Sequence, residues 1–296
     1  MFAVLLDTCL PTDVVGLVVA FARQRIRTVD GGFEFDPVHL VWQEVDPLVA
    51  QRAPFTAGKV VQTEQDVFRI SMGRAESKKA DRGRDWQPVT HFCPSYVCVR
   101  ELLWATDEGH LFVLLGESAE VWRFDVATGD VKMCTRLSSL RYRVATAGLG
   151  SMVFVTGGKD DALGSLSVVE AFDRTTGERV QKLQPPPMRV PRSEHASVSV
   201  RGCLFVLGGE GPSCRSVLRS VEIYDPIVGT WCDGPPMRTP RSRFSALVLE
   251  DTTIWVIGGW TGNDWTMCTE GFDCDTQIWL DMPCLPRPLH RRCCVV

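Results

Sequence analysis

The sequence predicts an all-β chain built from repeated four-stranded units, the pattern of a β-propeller. Three observations carry that expectation. Glycine pairs recur at Gly157-Gly158, Gly208-Gly209 and Gly258-Gly259, 51 and 50 residues apart. Each pair ends an apolar, β-prone run, at 152–156, 203–207 and 253–257, and such runs read as strands. After a variable loop, a second short strand ends in aspartate, at Asp173, Asp225 and Asp273.

The rest of each unit follows in order. Six residues past the aspartate stands a further strand position: Arg179, Trp231 and Trp279. Proline comes next, as in Pro185-Pro186-Pro187-Met188 and Pro235-Pro236-Met237. An arginine-led strand then opens the following unit: Pro191-Arg192-Ser193-Glu194-His195 and Pro240-Arg241-Ser242-Arg243-Phe244. Glycine at the end of an inner strand allows neighbouring backbones to approach where blades converge. Tryptophan on the outer strand fills the wedge between sheets and brings an N–H to satisfy. Aspartate bonds its own backbone and starts the turn.

Weaker copies extend the pattern upstream. Residues 110–116 keep one glycine, and Phe124-Asp125 to Val131 keeps the six-residue step. Residues 66–73 keep a strand and a glycine, with Trp86 in the expected place. The stretch Phe33-Glu34-Phe35-Asp36-Pro37, with Trp42, matches Glu222 to Pro226 with Trp231. The aspartates at 36 and 125 are 89 residues apart, nearly two repeats, which fits a decayed unit around Asp81 to Trp86. Five blades are therefore expected, near 50–91, 92–137, 138–184, 185–234 and 235–282. Residues 283–296 align with 235–248 and read as the first strand of another blade. Residues 25–29 and 33–35 read as a hairpin around Asp30-Gly31, and 33–45 as outer strands. The expectation is a composite sixth blade, its inner strand from Val295 and Val296, closing a propeller over 25–296.

The double glycine, then Tyr-Asp, then Trp resembles the kelch repeat. The match is good over 138–282, although Arg179 stands where the first of these units should carry tryptophan. That resemblance implies a propeller of four-stranded blades and a chain that binds proteins. It also implies a ligand face made of the loops 159–165, 210–219 and 260–268 and the arginine turns. Family ligand arginines sit two residues after the Pro-Arg arginine, which maps to Arg143, Arg243 and Arg291; at Glu194 this chain departs. A uniformly basic ring for acidic peptides is thus in question, and the alternative is that these arginines only bridge blades. Arg215, Trp260, Asp264 and Trp265 complete the expected partner-binding set.

Residues 1–24 form a separate N-terminal segment. Leu10-Pro11-Thr12-Asp13-Val14 resembles the opening of an F-box; the alternative is an extra strand or a packing helix. A working F-box would make the chain a substrate receptor of a cullin-type ubiquitin ligase, and otherwise a plain scaffold.

Bulk properties narrow the remaining classes. The 296 residues carry a net charge of −4, so no global basic field draws the chain to nucleic acid or acidic membranes. The twelve cysteines are scattered without a CxxC pair, which argues against zinc. The start lacks a basic signal-peptide region, and the apolar run 14–22 is too short to span a bilayer. A cytoplasmic location is expected, with the nucleus as an alternative. The five histidines form neither HxH nor HExxH pairs, and no nucleophile elbow or phosphate loop appears. No enzyme activity, metal or cofactor is expected. A galactose-oxidase-like copper site is disfavoured because Tyr224, one of three tyrosines, belongs to the repeat. The charge-rich stretch 74–85 reads as a solvated loop between strands. Cys293 resembles a prenylation box, but it aligns with strand positions, which is the preferred reading.

Overall fold

Side chains that alternate in polarity favour half-buried strands, whereas the short apolar runs here suit strands covered on both faces. The computed structural model describes residues 33–36, 41–44, 59–62, 66–71, 74–79, 87–88, 99–106, 110–115, 119–125, 127–181, 183–213 and 216–286. Every regular element among them is a β-strand. A hairpin of β1 (Phe33–Asp36) and β2 (Val41–Glu44) comes first. Then come β3 (Lys59–Gln62), β4 (Asp66–Ser71), β5 (Arg74–Lys79) and β6 (Gln87–Pro88). The second sheet holds β7 (Val99–Ala105), β8 (His110–Leu115), β9 (Glu120–Asp125) and β10 (Val131–Arg136). The third is β11 (Ala145–Leu149), β12 (Met152–Thr156) and β15 (Val169–Asp173), with a small hairpin, β13 (Lys159–Asp160) and β14 (Gly164–Ser165), in its loop. The last two are β16 (Ala196–Val200) to β19 (Thr230–Gly234), through β17 (Cys203–Leu207) and β18 (Val221–Asp225), and β20 (Ser245–Leu249) to β23 (Ile278–Met282), through β21 (Thr253–Ile257) and β22 (Thr269–Asp273).

Each sheet is an antiparallel meander, and the first strands β3, β7, β11, β16 and β20 lie beside one another in that order. These are the blades of a β-propeller, and their limits agree with the five repeat units. The β1–β2 hairpin pairs Phe35 with Trp42, the same register as Tyr224 with Trp231 and Phe272 with Trp279. It therefore has the form of the outer half of a blade. Its proposed inner strand at 288–296, and the residues 1–32, lie outside the described residues.

The core sits in the wedges between consecutive sheets. Strand β17 shows why its sequence is apolar throughout: Leu204 and Val206 pack towards Phe154 and Ala171 of the preceding blade, and Phe205 and Leu207 towards Ile254 and Val256 of the next. Trp231 and Trp279 close these wedges from the outer strands. Their indole N–H groups donate to the carbonyls of Pro186 and Pro235, both at 2.8 Å. Arg179 takes over this role in the third blade. It donates to the Arg136 carbonyl at 2.8 Å and lies over the Phe172 ring at 5.5 Å. The pairing around it shrinks to the Phe172–Arg179 bridge and one bond from Val180 N to Ala171 O, because Leu183 N turns back to Val180 O. The expected fourth strand there is thus only a remnant.

The repeat aspartates act as expected. Asp125, Asp173, Asp225 and Asp273 each accept the amides two and three residues on. The Thr128 and Thr176 amides hold the Asp125 and Asp173 carboxyls below the ordinary value, against partial burial. Gly208 has φ +56, and a Cβ there would meet the Arg241 carbonyl at 2.5 Å. Gly258 shares the left-handed backbone (φ +65), but its nearest described atom would be Leu285 Cδ1 at 3.6 Å. The crowding at Gly208 comes from the next blade, and the corresponding stretch for Gly258 lies beyond residue 286, outside the described residues.

A further sequence expectation changes. Residues 74–79 form strand β5 rather than part of a loop, since backbone pairing to β4 asks nothing of the side chains' polarity. In addition, β4 joins β5 across residues 72–73 alone, and β8 joins β9 across 116–119, so the long connections between second and third strands belong to the last three blades only.

Candidate functional site

The face that carries these long loops is organised from below by three buried ion pairs. Arg141, Arg192 and Arg241 are fully buried and meet Glu170, Glu222 and Glu270 on the third strand of their own blades. The Arg192–Glu222 contact is 2.6 Å. The same carboxylates accept backbone amides of the incoming segment: Ser138, then Arg189 and Val190, then Arg238 and Thr239. Each guanidinium in the last two pairs also donates to the first carbonyl of the glycine pair, Gly208 at 2.8 Å and Gly258 at 2.7 Å. Burial lowers the pKa of Arg192, and Glu222 opposes that shift. A buried charge survives only when paired and hydrogen-bonded, so the ladder fixes the turn before each first strand to the loop after each second strand.

Two residues past each buried arginine, the chain turns left-handed at Arg143 (φ 58), Glu194 (φ 53) and Arg243 (φ 55). Non-glycine residues there carry about 1–3 kcal/mol of strain. Backbone bonds from blade to blade hold them: Glu194 N to Arg143 O at 3.1 Å, and Arg243 N to Glu194 O at 2.9 Å. Directly beside this row, the residue after each glycine pair bridges to the preceding turn: Lys159 to Tyr142, Glu210 to Ser193, Trp260 to Ser242.

The side chains of the two rows meet on the fourth blade. Arg143 Nε is 3.1 Å from Glu194, and Arg243 Nη2 is 2.9 Å from Glu210. Arg243 Nε also approaches Glu194, at 3.6 Å. Both arginines remain 36% exposed, while Glu194 is 7% exposed. The arginines therefore bridge blades and are matched by two carboxylates, so the described part of the ring is not a bare cationic cradle for acidic peptides. Charge changes across the face: Arg143 and Lys159 on the third blade, Glu194 and Glu210 on the fourth, Arg243 with tryptophans on the fifth.

The expected residues Trp260 and Trp265 come together. They bridge each other in the loop after β21, with ring centroids 5.7 Å apart at an edge-on angle, and both are partly exposed. Asp264 lies at the exposed tip, where its carbonyl accepts from Thr261 N at 3.0 Å. Arg215 and Arg291 lie outside the described residues. Tyr224 is buried against Phe154 and Trp231, and burial raises its pKa. His195 is buried, with Nε2 2.8 Å from Thr156 Oγ1, which fits its expected structural role. Among the described residues, no group of three or more His, Cys, Asp or Glu could hold a metal ion.

Sequence reasoning missed the arginine–glutamate ladder and the part played by Glu210. A signal existed, because glutamate stands three residues before each of Asp173, Asp225 and Asp273.

The repeat has counterparts in known proteins. The Kelch motif family model matches residues 191–238, which contain β16 to β19. The chain is a kelch-repeat protein. Kelch-like protein 25 of Xenopus tropicalis is 28% identical over 192 residues, 61% of this chain and 32% of that protein. Its human counterpart is 30% identical over 162 residues, 51% of this chain and 27% of that protein. Beta-scruin of Limulus polyphemus is 39% identical over 113 residues, 36% of this chain and 12% of that protein. The matched kelch region thus spans a third or less of each of these relatives.

Proposed function

We propose that this kelch-repeat chain is an interaction module that binds a protein or peptide on the face built by its last three described blades. The observation that carries the reading is the partly exposed Trp260–Trp265 pair, bridged through Trp260 to Ser242 next to the partly exposed Arg243, on the face where the long loops gather. Tryptophan and arginine dominate the binding energy of protein interfaces, and variable loops on a rigid scaffold are where binding is placed. The alternating charge suits a partner of mixed charge that offers an apolar or aromatic group to the indoles. It does not suit a purely acidic peptide.

The intact chain, used as bait for chemical cross-linking, would supply the partner for calorimetric titration. Trp265→Ala and Arg243→Ala should each weaken binding at least tenfold, about 1.4 kcal/mol. Ile227→Asp, at an exposed turn of the opposite face, should leave it unchanged. The reverse pattern would move the site to the other face. A ligase substrate receptor is a narrower form of the same reading. It turns on residues 1–24, which lie outside the described residues, and direct binding of an F-box-specific adaptor to the intact chain would select it.

A further inference from the structure

From the geometry at the end of the last described blade, we infer that Cys268 and Cys284 are a redox-responsive pair that closes to a disulfide and clamps the Trp260-to-Cys268 loop. Thr269 is in register with Met282, and its hydroxyl donates to the Pro283 carbonyl at 3.0 Å. One step further, Leu285 N donates to Met267 O at 2.8 Å. These bonds bracket the two cysteines and leave them facing each other where the ladder runs beyond β22 and β23. Residues that face across antiparallel strands have Cα atoms roughly 4.5–5.5 Å apart, within the span of a disulfide.

The side chains bear this out. Both cysteines are reduced and exposed, and the Cys268 thiol is close enough to Cys284 to act on it. Burial, followed by the Cys268 thiol, pushes the Cys284 thiol up, so closure quickens as the pH rises and more thiolate forms. Cys274, the nearest other described cysteine in sequence, is a poor competitor: burial pushes its thiol up to about 11. The reaction requires an oxidant, and a low-molecular-weight disulfide suffices. A thiolate of the pair attacks the reagent's sulfur, the reagent's S–S bond breaks, and one small thiolate leaves. The second protein thiolate then attacks the mixed disulfide and expels the other half. Two protein thiols lose two electrons and two protons, and the reagent takes them up as two small thiols.

The structural effect falls on the candidate binding loop. Trp260, Asp264 and Trp265 are carried by a segment whose far end, Cys268, would be tied to the chain leaving β23. The inference therefore concerns control of that loop, and it holds whichever partner the face takes.

The test incubates the full chain with oxidised glutathione at a series of pH values, then blocks free thiols. Digestion with a protease that cuts at acidic residues, then with trypsin, follows, because Glu270, Asp273, Asp275 and Asp281 separate Cys268, Cys274 and Cys284, and Arg291 and Arg292 separate Cys284 from Cys293 and Cys294. Mass spectrometry without reduction should show the Cys268 peptide joined to the Cys284 peptide, more completely at higher pH and reversibly with excess reduced glutathione. In Cys284→Ser, with an unchanged melting curve, Cys268 should hold a trapped glutathione. Separate glutathione adducts on the two cysteines of the parent chain, a link from Cys268 to another cysteine, or an unmodified Cys268 in Cys284→Ser would each overturn the inference.

Discussion

Replacing Glu222 with glutamine changes one oxygen to an amide at a site where only 1% of the side chain is exposed. The parent carboxylate accepts from Arg192 Nη2 at 2.6 Å, Arg189 N at 2.7 Å and Val190 N at 3.1 Å. Glutamine has one acceptor oxygen, so its NH2 must face either a backbone N–H or the guanidinium. Arg192, wholly buried, is then left with a charge and no counter-charge. Breaking a buried pair in this way costs about 3–5 kcal/mol. Against a domain stability of roughly 5–15 kcal/mol, that is a large fraction. A domain of this size loses about 2–4 °C in Tm per kcal/mol, so the drop should be roughly 6–20 °C. Far-UV circular dichroism during heating reads it, with Glu178→Gln, at an exposed turn, as the control within about 0.5 kcal/mol of the parent. The paired replacement Arg192→Met with Glu222→Met should recover much of the loss, because no lone charge remains. A Glu222→Gln chain that melts with the parent would refute the claim that these pairs hold the face together.

Four further outcomes follow from the blades. Trp231→Ala should cost about 3–5 kcal/mol in urea unfolding, since it empties a wedge and orphans the Pro186 carbonyl. Gly209→Ala should cost roughly 2–6 kcal/mol, because the new Cβ would stand 2.6 Å from both Ser193 O and His195 Cβ. Gly202→Ala, equally left-handed but in open space, should cost only about 1–2 kcal/mol by the same measurement. For pH, the lowered values of Asp125 and Asp173 make their contribution complete above the ordinary value of 3.8 and lost as the pH falls through their lower folded values. Asp173→Asn should therefore flatten the acid limb of a stability–pH curve; an unchanged limb would remove the turn aspartates from acid unfolding.

The turns and wedges could be read from residues because each depends on local chemistry that one residue type serves best. Asp225 needs only the amides of Ile227 and Val228, and Trp231 has a shape and a donor that few positions suit. Arg179 shows the limit of that logic. Its guanidinium covers Phe172 and donates to a carbonyl as an indole would, yet nothing in its identity announces this. The buried ladder was hidden for a different reason. A glutamate inside an apolar strand, such as Glu222, looks like a solvent-facing residue until an arginine some thirty positions earlier is folded against it. The candidate face was legible in its positions and less so in its charge: Arg143 and Arg243 stand where the repeat alignment puts them, whereas their pairing with Glu194 and Glu210 depends on contacts between neighbouring blades.

The division of β17 between two wedges bears on how such a chain can come apart. The 191–238 unit owns half of each adjoining core and the whole of neither, so cut free it would expose Leu204 and Val206 on one side and Phe205 and Leu207 on the other. A blade at the end of the row can peel away at the loss of one wedge; a blade in the middle must give up two. Damage should then spread by fraying from a seam rather than by melting at random, and whatever seals that seam governs how long the whole ring survives.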